Sequence, residues 1–179
     1  PLQLCLMTAQ IANGGYKIKP KIIVNDDPLS LENAKTAMEL QSLQTPNTKL
    51  FNDPKNIKIV QEAMFSSTNE QFGTSYRSRI DDPKYQFAGK TGTAQVKRIS
   101  KRERELDLKL EQIPYKDRDH ALYVAYGPYK NPRYALSIIV EHGGSGSKAA
   151  APMAKELFKL IIDRDELRDK QSNFENINI

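Results

Sequence analysis

The sequence predicts an α+β fold, an antiparallel sheet of three strands flanked by helices. Two observations carry that expectation. From Tyr85 onward, three runs rich in β-branched and aromatic residues follow one another, and only Gly127–Pro132 separates the last two. So short a connection makes antiparallel neighbours the economical pairing. Around these runs, apolar residues recur at helical spacing between start and stop signals. The chain has 179 residues and a net charge of +5, from 27 lysines and arginines against 22 aspartates and glutamates. One domain is the prior at that length. An apolar share of 39%, with eight tyrosines and six phenylalanines, suffices for one core.

The elements follow in order. Residues 1–13 read as a helix, with Leu2, Leu6, Ala9 and Ala12 at helical spacing and Gly14–Gly15 as a left-handed stop. Lys17–Val24 alternates and is β-branched, a short extended piece that Pro20 keeps off a central position. Residues 25–50 are polar and read as a surface insertion. A second helix begins with Asp53 as N-cap and Pro54 in the first turn. Its expected buried face is Ile57, Val60, Gln61 and Met64, up to about Phe65. Tyr85–Val96 is the first extended segment, Ala121–Tyr126 the second strand and Tyr134–Glu141 the third. His142–Ser147 breaks the last strand, and a helix from about Ala149 to Asp163 is expected to bury Met153, Leu157, Leu160 and Ile161. The polar stretch 166–179 is expected to be a disordered tail, which leaves 1–165 as the folded unit.

Composition removes several function classes. No apolar run approaches the ~20 residues of a membrane-spanning helix. Cys5 alone cannot build a disulfide framework, and with two histidines no metal site or cofactor is expected. A charge of +5 over this length is modest and no nucleic-acid motif accompanies it, so no nucleic-acid partner is expected. The chain begins at Pro1 and reads as a piece of something longer.

The residues that carry chemistry are Gly89–Thr93, on the first strand. Lys90 supplies positive charge, while Thr91 and Thr93 place hydroxyl donors at alternate positions, which together suit a carboxylate. Gly92 lacks a side chain, so a ligand's backbone can lie against the strand as an added edge. The Thr93 N–H is then placed toward a developing oxyanion.

Lys-Thr-Gly belongs to a three-motif signature whose other members are Ser-x-x-Lys and Ser-x-Asn. With Pro1–Leu4, Ala12–Gly15, Ala88–Val96, Arg118–Val124, Pro128–Ala135, Val140–Gly146 and Ala149–Pro152 in matching order, the chain resembles the C-terminal half of a transpeptidase domain of the class B penicillin-binding proteins, elongation type. The resemblance implies a peptidoglycan D,D-transpeptidase, in which a serine attacks the penultimate D-Ala carbonyl of a stem peptide and a neighbouring amine resolves the acyl-enzyme. It implies a five-stranded antiparallel sheet with helices on both faces, Lys90–Thr93 lying on the third strand. Lys90 then supports the proton traffic beside the nucleophile. Thr91 and Thr93 hold the substrate carboxylate, with Gly92 between them, and the Thr93 N–H is half of the oxyanion hole. The implied partners are peptidoglycan stem peptides, β-lactam antibiotics and a membrane glycosyltransferase of the elongation machinery. The implied location is a periplasmic domain anchored in the inner membrane. A penicillin-recognising sensor or scaffold without chemistry, and a D,D-carboxypeptidase or β-lactamase-like hydrolase, stand as alternatives.

The family's other two motifs precede the segment that matches here, so the nucleophile is expected outside this chain and the isolated chain is expected to be inactive. Ser145–Lys148 and Ser67–Asn69 imitate the missing motifs. Ser145 sits in a glycine-rich turn rather than on a helix that brings a lysine to the serine. Ser67 and Asn69 follow a helix end, where such residues cap or turn. His120 and His142 read as structural residues at strand ends, Cys5 as a small buried hydrophobe, and Tyr123, Tyr126, Tyr129 and Tyr134 as core and rim. Residues 97–119, with eight basic and six acidic side chains, form a charged loop between strands and are expected to border the groove where glycan strands enter. The last strand is expected to expose an open edge, through which the isolated chain self-associates.

Overall fold

In the computed structural model of the chain, the described residues are 1–20, 48–98, 106 and 108–177, with side chains described as far as Leu167. The first helix, α1, spans Leu2–Ala12. It stops because Gly14 and Gly15 both take left-handed φ, near +86° and +90°. The Asn13 side chain closes the turn by accepting from the Gly15 and Tyr16 N–H groups. Most of the extended piece and of the insertion expected over 17–50 falls outside the described residues. At their two ends, the Lys17 N–H donates to the Thr48 carbonyl at 3.0 Å and the Leu50 N–H to the Gly15 carbonyl at 2.9 Å.

Helix α2 spans Pro54–Asn69 and starts as its sequence signals require, with the Asp53 carboxylate accepting from the Lys55 N–H at 2.9 Å. Ile57, Met64 and Thr68 form its buried line, whereas Val60 is exposed, against expectation. The helix also runs four residues past Phe65. Polar Thr68, not a larger apolar side chain, continues the inward face there, because a buried tyrosine hydroxyl waits for it. Gln61 is held by donating to the Ile11 carbonyl at 2.7 Å, which ties α2 to α1.

The sheet consists of β1 (Ala88–Ala94), β2 (His120–Gly127) and β3 (Tyr134–Val140), antiparallel and in that spatial order. Lys90 pairs with Val124, Thr91 with Tyr123, Gly92 with Leu122 and Thr93 with Ala121. Alternation sends Gly89, Thr91 and Thr93 to the face shared with Ala121, Tyr123 and Ala125. On the opposite face, Ala88 and Tyr126 pack with Met64 of α2 against Ile11 and Ala12 of α1.

The last helix, α3, spans Ala151–Ile177 and is entered through one π turn at Gly146–Ala150. Its buried face is not the one its large apolar residues suggest. Met153, Leu157 and Leu160 are exposed, while Ala151, Ala154, Phe158 and Ile162 are buried against β2 with Phe87 and Tyr123. Phe158 stacks on Phe87 with centroids 4.8 Å apart. Phe87, just before β1, and Tyr123 of β2 already place two large rings in this layer, so the helix must approach closely and offers its alanines. The helix also continues past Asp163 through 177, into the stretch 166–179 that the sequence predicts to be a disordered tail. No glycine or proline interrupts that stretch, and Arg, Glu, Leu, Lys and Gln are good helix formers. Lys84 clasps α3 to the segment before β1, with Nζ 3.1 Å from Asp163 and 2.9 Å from Glu166.

Between α2 and the sheet lies a buried hydroxyl cluster. Tyr123 Oη is 2.9 Å from Thr68 Oγ1 and 3.0 Å from Ser75 Oγ, and the Ser75 hydroxyl donates to the Ser67 carbonyl. Burial raises the Tyr123 phenol above its ordinary range, partly offset by the two hydroxyls. A raised folded value means that stability is complete below the unfolded phenol's pKa of about 10 and falls as pH rises above it. Tyr123→Phe is expected to cost about 1–3 kcal/mol at neutral pH by leaving Thr68 and Ser75 short of a partner. The same variant should show a shallower loss of stability above pH ~10, read by urea denaturation across pH.

Candidate functional site

β1 forms one end of the three-stranded sheet, so one of its edges has no strand partner among the described residues. On that edge strand Lys90 is exposed, Thr91 and Gly92 are half-buried and Thr93 is exposed. Lys90 starts on the opposite face from Thr91, yet its side chain folds back along the strand. Its Nζ donates to the Thr91 carbonyl at 3.0 Å and comes within 3.5 Å of Thr91 Oγ1. An ammonium and a hydroxyl therefore stand together, and Thr93 presents a second hydroxyl two residues on. This arrangement is suited to an anionic ligand lying along the strand.

Position 89 has no room for a side chain, since an added Cβ would collide with Tyr123 Oη. Asn69 ties α2 to the residue before β1, donating to the Phe65 carbonyl at 3.0 Å and the Phe87 carbonyl at 2.9 Å. Ser67 and Asn69 lie within the last turn of α2 rather than after its end, and Asn69 is structural there. Ser67 does not cap the helix. Its hydroxyl is 3.1 Å from Thr74 Oγ1, which is 3.3 Å from Thr91 Oγ1. Sequence reasoning passed over Thr74, for which the only available signal was a cluster of hydroxyl residues at 66–68 and 74–75.

Glycines on the turn after β3 bring that turn against β1. A Cβ at Gly146 would lie 2.4 Å from the Leu122 carbonyl oxygen and 2.7 Å from that of Gly92. Ser145 opens the π turn, its carbonyl accepting from the Lys148 and Ala149 N–H groups. Its hydroxyl faces Ser147 Oγ at 3.0 Å, and Lys148 is exposed. These contacts give Ser145–Lys148 the geometry of a turn.

His142 takes φ near +55° and donates its N–H to His120 Nδ1 at 2.9 Å, so His120 carries its proton on Nε2. His142 Nδ1 is 3.0 Å from the Arg118 carbonyl, which only accepts, so that nitrogen is protonated. Tyr115 packs on the same ring at 4.8 Å. The pair fastens residues 115–119 to the turn after β3, and the Gly144 N–H donates to the Asp119 carbonyl at 2.8 Å. The end of the charged loop is thus held beside the Thr93 end of β1, where the Val96 N–H reaches Asp119 Oδ1 at 3.3 Å. Residues 99–105 and 107 of that loop lie outside the described residues. Cys5 is half-buried, with its thiol 3.3 Å from the Ala135 carbonyl. Tyr123 and Tyr126 are core, and Tyr129 stacks on Phe65 at 4.3 Å. Among the described residues no three His, Cys, Asp or Glu side chains converge to hold a metal, and no helix is long and apolar enough to cross a membrane.

A family model described as the penicillin binding protein transpeptidase domain matches residues 1–159. The chain is 32% identical over 165 residues to the peptidoglycan D,D-transpeptidase MrdA of Salmonella typhimurium, covering 91% of this chain and 25% of that protein. It therefore spans about a quarter of the length of that curated relative. Among solved structures, the Pseudomonas aeruginosa PBP2 in complex with WCK 5153 is similar at 30% identity and a TM-score of 0.60, over 89% of this chain and 30% of the other. The Helicobacter pylori PBP2 in complex with MreC is similar at 28% identity and a TM-score of 0.59, over 87% and 24%.

Proposed function

The chain belongs to the penicillin-binding protein transpeptidase domain family, of the PBP2 type, and from that premise we propose that it supplies the substrate-binding strand of a serine D,D-transpeptidase of cell-wall elongation. The observation that carries the reading is the grouping on β1: Lys90 Nζ folded onto Thr91, with the Thr93 hydroxyl two residues along an edge that has no strand partner among the described residues. In this mechanism a serine Oγ, contributed by polypeptide outside this chain, attacks the penultimate D-Ala carbonyl of a stem peptide. The new C–O bond forms first, the carbonyl oxygen becoming a tetrahedral oxyanion; the C–N bond to the terminal D-Ala then breaks, and the departing amine takes the proton the serine gave up. An amine of a neighbouring strand then displaces the serine oxygen and restores its proton.

Each residue of β1 has its part in these steps. Thr91 and Thr93 hydroxyls bind the terminal carboxylate, and the Lys90 ammonium adds charge to that contact and steadies the serine oxygen. The Thr93 N–H donates to the tetrahedral oxyanion, a contribution typically worth ~3–4 kcal/mol in the transition state. Gly92 lets the substrate backbone lie close. β-Lactams enter by the same carboxylate and stop at the acyl-enzyme.

The parent protein is read as membrane-anchored, with this domain in the periplasm. A membrane glycosyltransferase partner rests on the family resemblance alone, and the solved Helicobacter pylori complex names MreC as that protein's partner. In the isolated chain, the outer edge of β3 is where a second copy would add. Fluorescent penicillin tests the reading. The protein containing this segment and a Ser-x-x-Lys helix should be labelled on the serine of that helix, and this chain alone should take up no label. Stoichiometric label on Ser145 of the isolated chain would overturn it.

A further inference from the structure

Three hydroxyls stand in a row that ends on β1, and the carboxylate contacts described above use only the last. Ser67 Oγ is 3.1 Å from Thr74 Oγ1, and Thr74 Oγ1 is 3.3 Å from Thr91 Oγ1. We propose that Thr74 is a positioning residue for carboxylate recognition, its hydroxyl donating to Thr91 Oγ1 so that the Thr91 O–H points at the ligand. This rests on the reading of β1 as the carboxylate-binding strand.

A threonine oxygen offers one hydrogen and two lone pairs. Lys90 Nζ has hydrogens only, so at 3.5 Å from Thr91 Oγ1 it occupies a lone pair. With Ser67 donating to Thr74 and Thr74 to Thr91, the second lone pair is filled as well. The Thr91 hydrogen is then left for an acceptor outside the row, and a carboxylate is the acceptor that an adjacent ammonium favours. Aligned donors of this kind also polarise one another, which sharpens the terminal O–H.

The backbone around Thr74 is held firmly enough for the task. On one side, a Cβ at Gly73 would lie 2.3 Å from the Ser67 carbonyl oxygen and 2.5 Å from that of Ser66, so the loop closes on the end of α2 without slack. On the other, Ser75 is buried and bonded to Tyr123 Oη and the Ser67 carbonyl. Thr74 is thereby placed between two anchored residues while its own side chain stays exposed, which is the arrangement a preorganised polar group requires.

The test uses the full transpeptidase that carries this segment, with benzylpenicillin and its methyl ester as probes. Wild type should acylate faster with the free carboxylate than with the ester. Thr74→Val is expected to lower acylation efficiency by benzylpenicillin about 5–10-fold, the loss of one neutral hydrogen bond to Thr91, mainly through weaker apparent binding, and to leave the ester rate unchanged. Thr74→Ser should restore the wild-type value. An equal loss on both probes, or none on either, overturns the role of Thr74 while the strand reading stands. A wild type with no preference for the carboxylate, or no acylation, overturns the strand reading and this inference with it.

Discussion

Lys90→Ala is expected to cut β-lactam acylation of the full enzyme by about 10²–10³-fold, the range seen when one preorganised electrostatic contact is removed from an acyl-transfer site. The loss should appear without a matching loss of fold. Lys90 is exposed, and among the described residues the hydrogen bonds of its side chain go to Thr91. Exposed substitutions of that kind usually move stability by less than about 0.5 kcal/mol. Stopped-flow acylation beside a urea unfolding curve separates the two effects. Unchanged acylation would remove Lys90 from the chemistry and leave β1 as an ordinary exposed strand.

Gly146→Ala is expected to destabilise the domain by about 3 kcal/mol, at the upper end of what overpacking costs. Its Cβ would meet two backbone oxygens, of Leu122 at 2.4 Å and of Gly92 at 2.7 Å. Neither can retreat without loosening the pairing of Gly92 with Leu122. The strain falls on the strand that carries the site, so acylation should drop with stability. Gly143→Ala is the control. Its Cβ would meet Val140 Cγ1 at 2.9 Å, Cβ at 3.0 Å and the carbonyl oxygen at 3.1 Å, all less close than the two backbone oxygens at Gly146. About 1 kcal/mol is expected there. Equal denaturation midpoints for the two variants would show that the turn after β3 yields, and that the approach to Gly92 is not a constraint.

Much of this was legible along the chain. Helix α1 and the start of α2 are written in local chemistry: two glycines able to take positive φ, and an aspartate followed by proline. The three strands and their antiparallel order follow from β-branched and aromatic runs and one short connection. Lys90, Thr91 and Thr93 could be named because a strand's alternation is itself a local rule.

What a linear reading lacked is the identity of the neighbours. Apolarity marks Met153, Leu157 and Leu160 for the interior. Rings from Phe87 and Tyr123 already occupy the layer beneath α3, and close packing there admits Ala151, Ala154 and one stacked phenylalanine. Thr68 and Ser75 are buried because a tyrosine hydroxyl 55 and 48 residues away, respectively, needs partners. Thr74 comes to Thr91 by the same folding of α2 onto the strand. Local propensity and short turns act within a few residues and can be read off the chain, whereas which face is buried, and which hydroxyl meets which, depends on atoms that only the folded arrangement brings within hydrogen-bonding distance.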